Sequence, residues 1–184
     1  MAFDDGDIDK IDGLGPHITA EKIKKHVTKE QWETYTKIVT EANPWDKVVS
    51  WFFWDLYNDK KINLNFEDRD LVITFFQEWF ENKVKPLDIN DNTNNNPLSH
   101  KYYFIGDEVV GEFFIKKENL NEDLKNFLSQ LNLPFDEKIL KDNNSKTGIR
   151  PSWSKDYKLF FNDENKKIVL ELCAETIKIL NYEY

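Results

Sequence analysis

The segment from Thr36 to Leu56, TKIVTEANPWDKVVSWFFWDL, limits the folds open to this chain more than any other. Residues 36–42 read as a short strand, and Asn43 ends it. Asn43 is a good helix N-cap, Pro44 suits the first helical position, and Asp46 favours the positive end of the helix dipole. Asn-Pro is therefore a switch from strand to helix. In the helix that follows, Trp45, Val48, Val49, Phe52, Phe53 and Leu56 recur at the spacing of one buried face.

The rest of the chain predicts more helix than strand in a mixed α/β order. ITAEKIKKHVTKEQWETY reads as helical turns, with Thr19 and the Thr28–Gln31 pair as caps. A long helix is predicted from about Asn65 to Val84, capped by Asn65, with Leu71, Val72, Phe75, Phe76, Trp79 and Phe80 as its stripe. Residues 88–100 form a polar loop, and residues 101–115 read as two strands around the Gly106-Asp107 turn. The helix before Pro134 turns Leu120, Leu124, Phe127, Leu128 and Leu131 inward. A terminal helix is predicted from near Asn162 to Leu180, with Ile168, Val169, Leu172, Cys173, Thr176 and Leu180 on one side.

With 184 residues, 40 % of them apolar, the chain has enough material for one domain with a core. Residues 1–16 are expected to be a polar N-terminal arm and residues 17–184 the domain. The net charge of −9 argues against broad attraction to nucleic acid or to an anionic membrane. No run reaches the roughly 20 apolar residues of a membrane span, and the acidic start is unlike a secretory signal. A cytoplasmic location is the expectation. The lone Cys173 excludes an intramolecular disulfide framework, and His17, His26 and His100 are too scattered for a zinc motif. The run DDGDIDKIDG fails as a calcium loop, because Lys10 and Pro16 stand where glycine and glutamate are needed. No metal site is expected.

Strand, tight turn and capped helix is how many α/β proteins present an anion site, with free N–H groups pointing outward. Ser50 lies two helical turns beyond Asn43, on about the same face, where its hydroxyl could reach a phosphate. The spacing also fits, and by itself favours, an ordinary capped core helix with one small residue at a packing contact. The loop 141–157 brings Lys146, Arg150 and Lys155 together with hydroxyl and amide groups, which suits a flap over a phosphate or a solvated loop. His17, just before a helix, is placed to act as general base on a sugar hydroxyl or to serve as a cap or surface residue.

Three segments in order resemble the carbohydrate-type sulfotransferase family, which transfers sulfate from 3′-phosphoadenosine-5′-phosphosulfate (PAPS) to sugar hydroxyls. GPHITAEKIKKHVTKEQWETYTKIVTEANPWDKVVSWFFW resembles the block in which a GH-x-T/S-A helix leads through a strand to R-N-P-W/Y-D-R-x-V-S. YYFIGDEVVGEFFIKKENLNEDLKNFLSQLNLP is similar to the family's hairpin and its E-N-L-x-x-D helix. Residues 143–184 are similar to its ending, an N-x-S loop, a tyrosine-rich turn and a helix closing on a G/N-Y-x-F/Y tail. The likeness covers roughly residues 13–184.

The resemblance implies a P-loop-like α/β fold and assigns Ser50 to the 3′-phosphate of PAPS, beside Asn43. Lys47 matches a second basic position, and Asn143 and Ser145 match the loop near the nucleotide, to which Lys146 and Arg150 also belong. The family's arginine position is Ala42, so a contact of about 1.5–3 kcal/mol is lost unless another cation substitutes. Nothing in residues 1–16 matches the family's phosphate loop, so the expected fold is an N-terminally truncated, helix-rich sulfotransferase type. Its small sheet is expected from residues 36–42 and the 101–115 region. A shortened sheet predicts a homo-oligomer or a partner chain completing the fold. The functional expectation is a PAPS-dependent sulfotransferase acting on a carbohydrate acceptor, or an inactive remnant serving as a binding or assembly module. An unrelated helical protein with a capped helix at Asn43 is the third reading.

Overall fold

The computed structural model describes residues 18–59, 64–88, 96–142 and 148–184. Two short helices open it, α1 (Ala20–His26) and α2 (Lys29–Thr34). Thr28 and Gln31 form the expected capping box on α2, whereas Thr19 makes no side-chain cap bond. Strand β1 (Ile38–Glu41) then passes through Asn43 into α3 (Pro44–Asn58), where the Asn-Pro pair predicts the switch. Helix α4 (Arg69–Lys83) begins later than the start at about Asn65 expected from the sequence. Asp68 is its cap, while Asn65 forms the turn before it, accepting the Glu67 N–H at 3.1 Å.

The segment read as two strands contributes three. β2 (Phe104–Ile105) and β3 (Glu108–Val109) make a minimal antiparallel hairpin around Gly106 and Asp107. β4 (Phe113–Lys116) leaves that hairpin and pairs in parallel with β1, Ile38 opposite Phe113 and Glu41 opposite Lys116. Both strands end at the corner that holds the start of α3. Gly111 lets them approach: a Cβ there would sit 2.7 Å from Val39 Cγ2. Among the described residues β1 and β4 have no further strand beside them, an uncommon state for a parallel pair.

After β4 come α5 (Leu120–Gln130), α6 (Glu137–Asp142), α7 (Asp163–Leu172) and α8 (Ala174–Leu180). The terminal helix is thus two helices, divided at Cys173 with φ −112° and ψ 19°. The division lets α7 and α8 serve different neighbours. Val169 and Cys173 join the aromatic core, while Thr176 meets the buried Tyr103 hydroxyl at 2.6 Å. Burial pushes the Cys173 thiol up to about 12.

The core lies between α3, α4 and α7. Val48, Val49, Phe52, Phe53, Val72, Phe76, Phe80, Phe160 and Val169 are fully buried there. Phe52 meets Phe76 edge-to-face at 5.3 Å, and Phe76 meets Phe160 at 5.2 Å, the geometry that ring quadrupoles favour. Helix α5 departs from its sequence pattern. Phe127 alone of its five apolar stripe positions is buried, and Leu120 and Leu131 are exposed, because α5 packs mainly on the narrow β4. No described helix is long and apolar enough to cross a membrane. The architecture is mixed helix and small sheet, with helix dominant.

Candidate functional site

The turn from β1 into α3 organises a polar corner. Asn43 Oδ1 accepts the N–H groups of Trp45 at 3.1 Å and Asp46 at 3.4 Å, and its carbonyl accepts Lys47 N–H at 2.9 Å. Pro44 has no N–H. The N–H of Asn43 itself donates to Glu118 Oε1 at 2.5 Å. Every amide donor from Asn43 to Lys47 is therefore bonded inside the protein. The outward-facing free N–H groups expected of an anion-binding turn are not present at this one, because the cap side chain and Glu118 use them.

What remains for a ligand comes from side chains. Ser50, half-exposed two turns into α3, accepts a hydrogen bond from Arg150 Nη1 at 2.7 Å. The same nitrogen donates to Asp46 Oδ1 at 2.7 Å. Arg150 also donates from Nε to Ser154 Oγ at 3.4 Å and from Nη2 to the Ser154 carbonyl. Its guanidinium lies over the Phe53 ring, 6.0 Å from the centroid. Lys117, just after β4, brings Nζ to 3.7 Å from Asp46 Oδ2.

Arg150 is held in place by its own loop. Trp153 stacks on Phe160 with ring centroids 5.5 Å apart and planes 5° apart, and its indole N–H donates to the Phe66 carbonyl at 2.9 Å. Ser154 is fully buried and donates to the Pro151 carbonyl at 2.8 Å. These contacts fix a tight turn from which the Arg150 side chain reaches α3.

Lys47 faces the other way. Its Nζ donates to Glu41 Oε1 at 2.5 Å, and the same oxygen accepts the Ala42 N–H at 2.9 Å. The Glu41 side chain is only 5 % exposed, so this cation is committed to a nearly buried carboxylate. On the opposite flank Asn43 Nδ2 donates to Tyr157 Oη at 3.3 Å and to the Glu183 carbonyl at 3.2 Å. Burial raises the Tyr157 phenol above its ordinary value, and the nearby Asp46 charge adds to that rise.

The structure thus brings together Ser50 and Arg150, connects Asn43 to them only through Asp46, and turns Lys47 toward Glu41. His17, Asn143, Ser145 and Lys146 lie outside the described residues. Lys155 is exposed at the end of the 152–155 turn, away from these contacts. Sequence reasoning missed Asp46 as a partner of Arg150, although an acid one turn before Ser50 shares its helix face. It also missed Trp153, whose signal was a large aromatic in an otherwise polar loop. That Glu118 and Lys117 reach this corner had no signal, because the pairing of β4 with β1 brings them here.

The corner is electrically balanced: Glu41, Asp46 and Glu118 face Lys47, Lys117 and Arg150. Two surface hollows, about 580 Å³ beside Lys125 and Leu133 and about 250 Å³ beside Phe52 and Trp79, do not include Ser50 or Arg150. Among the described residues no group of acidic, histidine or cysteine side chains could hold a metal ion. Comparison with protein-family models, with curated proteins and with solved structures returns no match for the chain.

Proposed function

We propose that this is a sulfotransferase-like protein whose Ser50–Arg150 corner binds the 3′-phosphate of PAPS, with a carbohydrate hydroxyl as sulfate acceptor. One observation carries the reading: the 2.7 Å contact between Arg150 and Ser50. The family resemblance puts an arginine at the position of Ala42 and pairs it with the serine of the next helix. Here the guanidinium arrives from a distant loop and meets the same hydroxyl. A guanidinium and a hydroxyl side by side supply directional donors for phosphate oxygens. The test is thermal stabilisation by adenosine 3′,5′-bisphosphate. A ligand at 100 times its Kd adds about 2.7 kcal/mol, and Ser50→Ala or Arg150→Ala should remove the shift. No shift with the unaltered chain at millimolar nucleotide would end the reading.

A second reading, a remnant domain used for binding or assembly, is favoured by a different observation. The amides of the α3 start are internally satisfied and Arg150 is paired with Asp46, so less is left to stabilise charge as sulfate departs. The β1–β4 pair, without a further strand among the described residues, and the exposed Leu120 and Leu131 fit a second copy or a partner chain alongside. Sulfate transfer from PAPS to a sugar supports the first reading. Nucleotide-independent oligomers without transfer support the second.

A further inference from the structure

We infer that Asp46 makes the Ser50–Arg150 corner selective for a protonated phosphate monoester over a sulfate ester. This rests on the reading that the corner takes an anion and adds what kind of anion it prefers. Arg150 Nη1 is shared between Ser50 Oγ and Asp46 Oδ1, both at 2.7 Å, so an anion on the guanidinium and the hydroxyl lies against a carboxylate. Ser50 only accepts in the described contacts, which leaves its own hydrogen to donate. Arg150 Nη2 uses one N–H on the Ser154 carbonyl and has a second.

Two sides of the bound anion therefore meet donors and one side meets Asp46, a pure acceptor while ionised. A phosphate monoester carries a proton at mildly acid pH, its second pKa being about 6. That P–O–H donates to the carboxylate while the remaining oxygens accept from Arg150 and Ser50. A sulfate ester has the same shape and charge and no such proton, so its oxygens face Asp46 unpaired. Buried groups left without partners are the most discriminating element of a binding site. The charged and titratable groups around Asp46 are Arg150 from the 148–151 turn, Lys117 after β4, Tyr157, and Glu118 at the Asn43 amide. The two cations hold the carboxylate in place, and neither is replaced when the ester binds.

Methyl phosphate and methyl sulfate, both singly charged at about pH 5, isolate the proton as the sole difference. Their affinities are read from amide shifts of α3 and the 148–155 turn in titrations of the full chain. The expected result is a preference for methyl phosphate of about tenfold or more. In Asp46→Asn, whose amide can donate, that preference should fall to within about threefold as methyl sulfate gains. Equal binding of both esters by the unaltered chain, or a preference unchanged in Asp46→Asn, overturns the inference while leaving an anion site. Binding of neither ester by the unaltered chain or the variant overturns the anion reading as well. Should Asp46→Asn fail to fold, the preference of the unaltered chain decides alone.

Discussion

The Arg150 guanidinium donates from Nη1 to the Ser50 hydroxyl at 2.7 Å, across 100 residues of chain, and the same nitrogen holds Asp46. The contact joins the first helix after β1 to a turn anchored by Trp153. Arg150→Ala removes donors from a carboxylate that is only 19 % exposed, leaving Lys117 at 3.7 Å as its cationic neighbour. Lost hydrogen bonds to a charged group predict about 2 kcal/mol of destabilisation, or roughly 4–8 °C in Tm for a domain of this size. Ser50→Ala removes only one acceptor and should shift Tm by less than about 2 °C. Equal effects in a melting experiment would mean that the Asp46 contact adds nothing beyond the Ser50 contact, contrary to this prediction.

Glu41 and Lys47 make a different kind of pair. The carboxylate is nearly buried, the ammonium one quarter exposed, and both sit beside the sheet end. Breaking such a pair by Glu41→Ala should cost about 3 kcal/mol, since Lys47 and the Ala42 N–H lose their acceptor. Replacing both residues by Met should restore most of that loss, because two apolar side chains carry no uncompensated charge. Urea denaturation of the single and double variants measures this. Strict additivity of two single losses would contradict it.

Gly111 tests the strand register. Its missing Cβ would lie 2.7 Å from Val39 Cγ2 and 3.0 Å from Phe114 Cζ. Gly111→Ala should destabilise by about 1–3 kcal/mol through overpacking, and Val39→Ala in the same chain should recover part of it. A neutral Gly111→Ala would argue against the parallel β1–β4 pairing.

His100 supplies a pH dependence. Burial against Phe104, at a ring separation of 4.8 Å, lowers its pKa below the ordinary 6.5, with Lys101 adding to the fall and Glu175 opposing it. Above pH 6.5 both folded and unfolded chains hold it neutral, so it contributes nothing. As pH falls below 6.5 the unfolded chain takes up a proton that the folded chain resists, and stability drops. The drop stops growing once pH passes the folded-state pKa. His100→Asn should therefore lose less stability than the unaltered chain between neutral and mildly acid pH. Parallel stability curves for the two proteins would refute the assignment.

Local signals carried the helical half of the fold into the sequence. The apolar stripe from Trp45 to Leu56, the Asn43-Pro44 cap and the Thr28 capping box all appear where short-range rules put them. The sheet was legible in part. Residues 36–42 and 101–115 do pair, but the hairpin takes only four residues and β4 goes to β1 instead. Pairing over a long sequence separation depends on packing that no local pattern records. The break at Cys173 was invisible for the same reason, since Val169 and Thr176 answer to different neighbours. At the corner, Asn43 and Ser50 could be read from helix geometry. Asp46 could be read only as a dipole partner, and the arrival of Arg150 and Glu118 depends on tertiary contacts.

The central claim is that the 3′-phosphate of a nucleotide is read by Ser50 and Arg150. Calorimetry comparing adenosine 3′,5′-bisphosphate with adenosine 5′-monophosphate tests it most directly. The account predicts binding of the bisphosphate about tenfold or more tighter, one charge-assisted contact being worth roughly 1.5–3 kcal/mol. That advantage should vanish in both Ser50→Ala and Arg150→Ala. Equal affinity for the two nucleotides, or an advantage that survives both substitutions, would contradict it.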